Sequence, residues 1–183
     1  MEQQNGIIKV NYNNILYSKF FVFNNKKEGL CKSYHTNGQL NSKWNYINGK
    51  IEGEHKSYYK NNRLMIICNY KNNKSEGKYK LYYEDGKLFQ IYNYKNDKLE
   101  GEYKSYYENG QLKNIYNYKN NKKEGKYKSF YENGQLQYIY NYKNDKIEGE
   151  YKSYYKNGQY GKYVIIKMEK KRENIKNIIE TEN

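Results

Sequence analysis

A Glu-Gly pair recurs at a constant interval of 24 residues, and this period constrains the fold more than any other feature of the sequence. Nine residues after each of these glycines stands a second turn residue, which follows an Asn or an Asp. The first column consists of Gly29, Gly53, Gly77, Gly101, Gly125 and Gly149, and the second of Gly38, Asn62, Gly86, Gly110, Gly134 and Gly158. A fixed period of this length indicates a repeat protein, so we expect six copies over about residues 26–160.

Each copy has the pattern of two strands joined by tight turns. Asn-Gly between runs rich in Tyr and Ile is a strong hairpin signal, and the fifth copy carries it at Asn133-Gly134. Its second turn lies at Asn144-Asp145, where both residue types tolerate positive φ. We predict that both turns are two-residue hairpins. The expected fold is all-β: an elongated single-layer antiparallel β-meander of six 24-residue repeats, with a short C-terminal helix.

The two turns fix a strand register, which assigns every side chain to one face of the sheet. The predicted facing pairs are Tyr131–Leu136, Tyr127–Tyr140 and Gly125–Tyr142 beside the first turn, and Tyr142–Ile147, Tyr140–Gly149 and Tyr138–Tyr151 beside the second. This register makes one face aromatic and the other largely charged, with alternating signs that suggest pairing between neighbours. The glycine of each Glu-Gly pair would leave room for a Tyr ring, so we predict turn and packing roles for the two glycine columns.

Here the sequence resembles a known family. The pattern Gly-x-Tyr-x-x-Tyr-Tyr-x-Asn-Gly-Gln-Leu, followed by Asn-Tyr-Lys-Asn-x-Lys-x-Glu-Gly, is similar to the MORN-variant (MORN_2-like) repeat of bacterial and viral proteins. The second copy departs most, with His55, Asn62 and Cys68 at positions where other copies have Tyr or Gly. The resemblance implies a single-layer antiparallel sheet and a binding or scaffolding role. Some bacterial relatives are classed as candidate antitoxins of the YwqK type.

Composition leaves two interpretations of the charge open. A net charge of +14 favours nucleic acid or an anionic membrane as a partner. The same excess of Lys, Asn, Tyr and Ile also follows from codons rich in A and T. Two Cys and two His show no metal-ligand spacing, so neither a metal nor a cofactor is expected. Without a signal-peptide or membrane-span pattern, we expect a soluble cytoplasmic protein, in the host cell if it is viral.

The ends differ from the middle. Residues 1–25 have the pattern of a degenerate N-terminal capping repeat, and residues 161–183 that of a last strand followed by a capping helix. In that helix Ile175, Ile178 and Ile179 would share one face. The helix could cover the final strand edge, which would otherwise be open to aggregation, or it could bind a partner.

No constellation of catalytic residues is visible, because the serines form a repeat column and the acids mark turns or surface positions. We therefore expect a non-enzymatic module for protein–protein interaction or scaffolding, with another protein as partner and no small-molecule substrate. Binding of anionic membrane lipid or RNA is the alternative, although the lysine columns lie opposite the tyrosines. The candidate partner-binding residues are Tyr79, Tyr92, Tyr94, Tyr103, Tyr116, Tyr118, Tyr127, Tyr140, Tyr142 and Tyr151. Their rings could instead pack on one another, or join two copies in a homodimer.

Overall fold

The structure is a computed structural model, and it describes residues 5–12, 15–168 and 177–180. Every element within these ranges is a β-strand, and the strands pair antiparallel. The predicted all-β antiparallel repeat meander is therefore confirmed. The chain forms two compact units, residues 1–98 and 99–183.

The first unit is a meander in which strands that follow one another in sequence lie side by side. Its strands are β1 (Gly6–Tyr12), β2 (Ile15–Phe23), β3 (Lys26–Tyr34), β4 (Leu40–Ile47), β5 (Lys50–Ile51), β6 (Gly53–Tyr58), β7 (Leu64–Lys71), β8 (Lys74–Tyr82) and β9 (Leu88–Lys95). Strand β4 pairs with both β5 and β6. These two strands are separated only by Glu52, so together they act as one partner strand of β4.

The second unit repeats this arrangement. Its strands are β10 (Lys98–Leu99), whose second residue begins the unit, β11 (Gly101–Tyr106), β12 (Leu112–Lys119), β13 (Lys122–Phe130), β14 (Leu136–Lys143), β15 (Lys146–Tyr154), β16 (Tyr160–Met168) and β17 (Asn177–Glu180). From β11 to β17 each strand pairs with the next one in sequence.

The predicted C-terminal helix is wrong over the four residues of this segment that the structure describes. Most of residues 169–183, including Ile175, lies outside the described residues. Asn177–Glu180 form the strand β17, which pairs with β16 from Ile165 to Met168. The backbone groups along the outer edge of β16 provide hydrogen-bond partners for a strand, and this pairing covers that part of the edge.

The second turn of the first five copies is the two-residue hairpin that the sequence predicts. Asn144 and Asp145 have φ of 49° and 67°, and Lys143 lies opposite Lys146. Positive φ at both central residues defines a type I′ turn, which matches the natural twist of a hairpin. Asn and Asp recur there because they tolerate this conformation better than other residues with side chains.

The Asn-Gly turn is different from the prediction. The Tyr131 N–H donates to the Gln135 carbonyl at 2.8 Å, and the Gly134 N–H donates to the Tyr131 carbonyl at 2.9 Å. These bonds enclose a three-residue loop that ends in a glycine with φ of 84°. The strand register therefore shifts, and Leu136 lies opposite Phe130 instead of Tyr131. The predicted Tyr131–Leu136 pair is wrong, and Leu136 lies on the opposite face from the one predicted.

A second irregularity falls at the Glu-Gly pair. Asn141 lies opposite Glu148, but Ile139 lies opposite Lys152, so β15 has two more residues than β14 between these pairs. Tyr138 consequently lies opposite Ser153 rather than Tyr151, and the predicted Tyr140–Gly149 and Tyr138–Tyr151 pairs are wrong. Because the shift is two residues, every side chain keeps the face that the sequence predicts.

The glycine of the Glu-Gly pair serves the backbone, and the predicted steric role is wrong. Gly125 has φ of 75°, and a Cβ built on it would meet no heavy atom within 4 Å. Space for a ring is therefore not the reason for glycine at this position. A left-handed backbone conformation, which glycine adopts without steric cost, produces the bulge.

Candidate interaction surfaces

The aromatic side chains of the second unit form a continuous row of rings on one side of its sheet, which we name the tyrosine face. Neighbouring ring centroids are separated by 4.5, 5.5, 4.5 and 5.4 Å along Tyr103, Tyr116, Tyr127, Tyr140 and Tyr151. Three of these four contacts are stacked and one is tilted. Since each ring comes from a different strand, the row holds consecutive strands together through their side chains.

A second row of rings packs edge-on against the first. Tyr118 lies 5.3 Å from Tyr116, and Tyr142 lies 5.3 Å from Tyr140, both in T-shaped contacts. The Lys123 ammonium sits 5.0 Å from the centroids of both Tyr116 and Tyr142. A cation over two ring faces is stabilising, and it adds positive charge to this face.

Burial within these rows alters the acidity of the phenols. Desolvation raises the pKa of Tyr116, Tyr140, Tyr103 and Tyr127 above the usual range, because the charged phenolate is disfavoured away from water. In the first unit the same cause raises the pKa of Tyr79 to about 12. These tyrosines are therefore neutral at physiological pH.

The first unit has a corresponding face with more varied side chains. Tyr79 stacks on Tyr92 at 5.1 Å, and Tyr94 makes T-shaped contacts with both rings. Nearer the N-terminus the corresponding row of side chains contains Trp44 and His55, whose ring centroids are 5.7 Å apart, and the buried Cys68. The degenerate second copy thus keeps the packing while it changes the residue types.

A series of part-buried hydrogen bonds links polar side chains among the rings of the second unit. These bonds were not predicted from the sequence. The Tyr127 hydroxyl donates to Asn114 Oδ1 at 2.7 Å, and Asn114 Nδ2 donates to Ser105 Oγ at 2.9 Å. Four serines of this column are buried: Ser33, Ser57, Ser105 and Ser129. A small polar residue in five of the six copies, beside large aromatic columns, was the available signal. The serines are part of the packing layer.

The structure places all ten candidate tyrosines on the tyrosine faces of the two units. Nine are half-buried, and Tyr116 is buried, with 8% of its surface exposed. Self-packing is therefore a principal role of these rings. Their outer edges remain available, so their role in binding a partner stays a prediction.

The opposite side of each sheet, which we name the lysine face, carries the repeated lysine column. Its members are Lys32, Lys56, Lys80, Lys104, Lys128 and Lys152. Three of them form ion pairs with the acid two residues earlier: Lys56–Glu54 at 2.6 Å, Lys104–Glu102 at 2.6 Å and Lys152–Glu150 at 2.9 Å. The paired charges therefore lie along one strand rather than across two, and such exposed pairs add little stability.

The lysine face is less polar than the sequence analysis predicts. The register shift at the first turn brings a leucine of each of the first five copies to this face, and in the second unit Leu112 joins Ile115 and Phe130. These side chains line an open groove of about 320 Å³, which Lys126 and Lys128 border. The face thus combines an apolar strip with lysines at its side.

Two other kinds of site are absent from the described residues. No helix there is long and apolar enough to cross a membrane. Within residues 5–12, 15–168 and 177–180, no group of three His, Cys, Asp or Glu side chains could hold a metal ion.

The repeated sheet with two regular faces defines a class, the repeat proteins that present an extended surface. The model of the MORN repeat variant family matches residues 27–48, 51–72, 75–96, 99–120, 123–144 and 147–160. The chain therefore belongs to this family, and the resemblance seen in the sequence is confirmed. MORN repeats are a non-catalytic repeat type that is generally associated with protein or membrane interaction modules. No curated protein matches the chain.

Proposed function

We propose that this MORN-repeat protein is a non-enzymatic module that binds another protein and acts as a scaffold for it. The observation that carries the proposal is the regular surface of the two units, in which the same side chains recur every 24 residues. Repeated positions of this kind give a partner many equivalent contacts over a large area.

Both faces provide the side chains that protein interfaces favour. The tyrosine face offers ring edges and hydroxyls that are already held in place, so little side-chain entropy is lost when a partner binds. The lysine face offers apolar strips bordered by cations, as at Ile115, Phe130 and Lys128. An apolar centre with a polar rim is the usual composition of a protein–protein contact.

An antitoxin-like role is one form of this proposal, because an antitoxin acts by tight binding to a protein partner. The alternative function is binding of anionic lipid or RNA through the basic residues. For RNA, the aromatic rings that could stack on bases lie on the tyrosine face, whereas the repeated lysine column lies on the other side. This separation favours a protein partner over RNA.

The test is affinity capture of the tagged protein from its native cell, with elution in steps of increasing salt. We expect a stoichiometric protein that is retained at high salt, because apolar contacts are not screened by ions. Recovery of RNA or anionic lipid alone, released at modest salt, would contradict the proposal and support the alternative.

A further inference from the structure

The N-terminal part of the lysine face departs from the repeat at four positions, and all four changes replace a polar residue by an apolar one. Phe21 stands where the first five copies have Asn and β16 has Ile165, and Leu30 stands where the later copies have Glu or Lys. Phe23 and Ile47 occupy a position that is Lys in the remaining copies. The repeat itself provides the comparison, since it shows which residues the fold accepts at these positions.

The four replacements and Ile7 are exposed on the same face of the first unit, and we name this set the apolar patch: Ile7, Phe21, Phe23, Leu30 and Ile47. Ile7 lies directly opposite Phe21 in the ladder between β1 and β2. The exposed fractions are 59% for Ile7, 40% for Phe21, 52% for Phe23, 54% for Leu30 and 47% for Ile47. A contiguous group of exposed apolar side chains on a soluble sheet marks an interaction surface.

A row of lysines crosses the same face beside the apolar patch. The register places Lys9 opposite Lys19, Lys19 opposite Lys32, Lys32 opposite Lys43, and Lys43 opposite Lys56. In the later copies lysines of this row alternate with isoleucines, as Lys56, Ile67 and Lys80 show. Like charges directly opposite one another are destabilising, so the uninterrupted row has a cost that an anionic partner would offset.

The apolar patch and the lysine row are linked through Leu30. In the next copy the equivalent residue, Glu54, forms an ion pair with Lys56 at 2.6 Å. Leu30 removes this acid from beside Lys32 and adds an exposed apolar side chain at the same point. With the described residues, Lys9, Lys19, Lys32 and Lys43 form no ion pair, so their charge is available to a partner.

A groove of about 310 Å³ joins the two features. Ile7, Phe21 and Leu30 supply its apolar lining, while Lys19 and Lys32 supply charge. We infer that this groove and its surroundings bind an extended protein segment in which acidic and apolar residues alternate. Its apolar side chains pack on the apolar patch, and its carboxylates lie on the lysine row. The inference rests on the proposed function and specifies where and by what chemistry the partner binds.

The charge and shape of the surface argue against two other occupants. A second copy of the chain would bring its own lysine row against this one, which is repulsive. A membrane surface would need side chains that project and sink about 5–10 Å into the headgroup region. Here Ile7, Phe21 and Leu30 line a concave groove, a shape that suits a narrow segment.

The repeat supplies the variants for the test. The revertant carries Phe21→Asn, Phe23→Lys, Leu30→Glu and Ile47→Lys, which are residues that later copies hold at the same positions. It should fold, and an unchanged thermal unfolding transition checks this. A second variant, Lys19→Gln with Lys32→Gln, removes charge but keeps the apolar patch. Its matched control is Lys78→Gln with Lys80→Gln, two lysines of the same face that lie outside the groove and form no ion pair with the described residues.

The probe is a fluorescent peptide of about eight residues, the length of a strand, that alternates Glu and Leu. We expect it to bind the unmodified protein, with an affinity that falls as salt rises. The revertant and the Lys19/Lys32 variant should each bind it roughly tenfold more weakly or worse, and the matched control should bind normally. A peptide that alternates Glu and Ser should not bind.

Three results would overturn the inference: no binding of the Glu–Leu peptide, equal binding by the revertant, or equal loss in the matched control. Cosedimentation of the protein with phosphatidylserine vesicles, lost in the revertant, would overturn it in favour of a membrane surface. Each of these outcomes is distinct from a failure of the proposed function, which would appear as affinity capture that returns no protein from the native cell.

Discussion

The Glu124 carboxylate accepts a hydrogen bond from the backbone N–H of Asn144 at 2.9 Å, twenty residues further along the chain. The same contact recurs with distances of 2.7–2.9 Å at Glu28–Asn48, Glu52–Asn72, Glu76–Asn96 and Glu100–Asn120. Five of the six Glu-Gly pairs therefore hold the type I′ turn that follows in the same copy.

Removing this carboxylate should destabilise the second unit. Glu124→Ala leaves the Asn144 N–H without its charged acceptor, and we expect a loss of about 1 kcal/mol in the free energy of unfolding. Glu124→Gln keeps an oxygen acceptor and should lose less. Glu150→Ala is the control, because the exposed Glu150 holds no turn and forms an ion pair with Lys152 on its own strand, so its loss should be smaller. Urea denaturation measures all three, and equal losses for Glu124→Ala and Glu150→Ala would contradict this role.

Substitutions at Gly125 distinguish backbone conformation from crowding. With φ of 75° and open space around its Cα, Gly125 should tolerate Asn better than Ala, because Asn adopts positive φ more readily. We expect Gly125→Ala to lower stability by about 1 kcal/mol and Gly125→Val to lower it further. If crowding governed this site, the larger Asn would be worse than Ala. The order of the urea midpoints decides between the two explanations.

The row of rings should carry much of the stability of the second unit. Tyr116 is 8% exposed and stacks on Tyr103 at 4.5 Å, so Tyr116→Ala should lower the free energy of unfolding by about 3 kcal/mol. Tyr155, which is 60% exposed, provides the control, and Tyr155→Ala should change stability by less than about 0.5 kcal/mol. Thermal unfolding followed by circular dichroism gives both values. A small effect of Tyr116→Ala would show that the packed rings contribute little to the stability of the sheet.

Stability should decrease at alkaline pH. Burial raises the pKa of Tyr79 to about 12, whereas an unfolded tyrosine titrates near 10. The unfolded chain therefore loses this proton first, and the contribution is complete below pH of about 10 and lost as the pH rises towards 12. Tyr79→Phe should make the decrease shallower than Tyr155→Phe does. Urea midpoints between these pH values, together with phenolate absorbance, test this, and the opposite order of the two variants would be inconsistent with it.

Local signals in the sequence predict the repeat unit well. The 24-residue period, the Asn-Asp turn and the assignment of the tyrosines to one face all follow from residue type and alternation. The strand register beyond the Asn-Gly turn cannot be predicted from the sequence, because Asn-Gly occurs both in two-residue turns and in three-residue loops. The extra residue moves Leu136 to the other face, and alternation alone cannot reveal this change.

The candidate site is less accessible to sequence reasoning than the fold. The tyrosine content indicated an interface. The three-dimensional structure shows in addition that the Tyr127 and Tyr140 rings stack on each other at 4.5 Å, which the sequence does not reveal. The apolar patch was missed because its five residues come from four different strands. The available signal was a comparison of copies, since Leu30 breaks a column that is polar in all later copies and Phe21 breaks one that is Asn in the first five.

The most direct test of the account compares the unmodified protein with the revertant in the same affinity capture. If the protein binds its partner through the N-terminal part of the lysine face, the revertant should recover little of the captured protein, while the Lys78/Lys80 control recovers it fully. Equal recovery of the same protein by the revertant would show that the partner binds elsewhere, and would contradict the central claim.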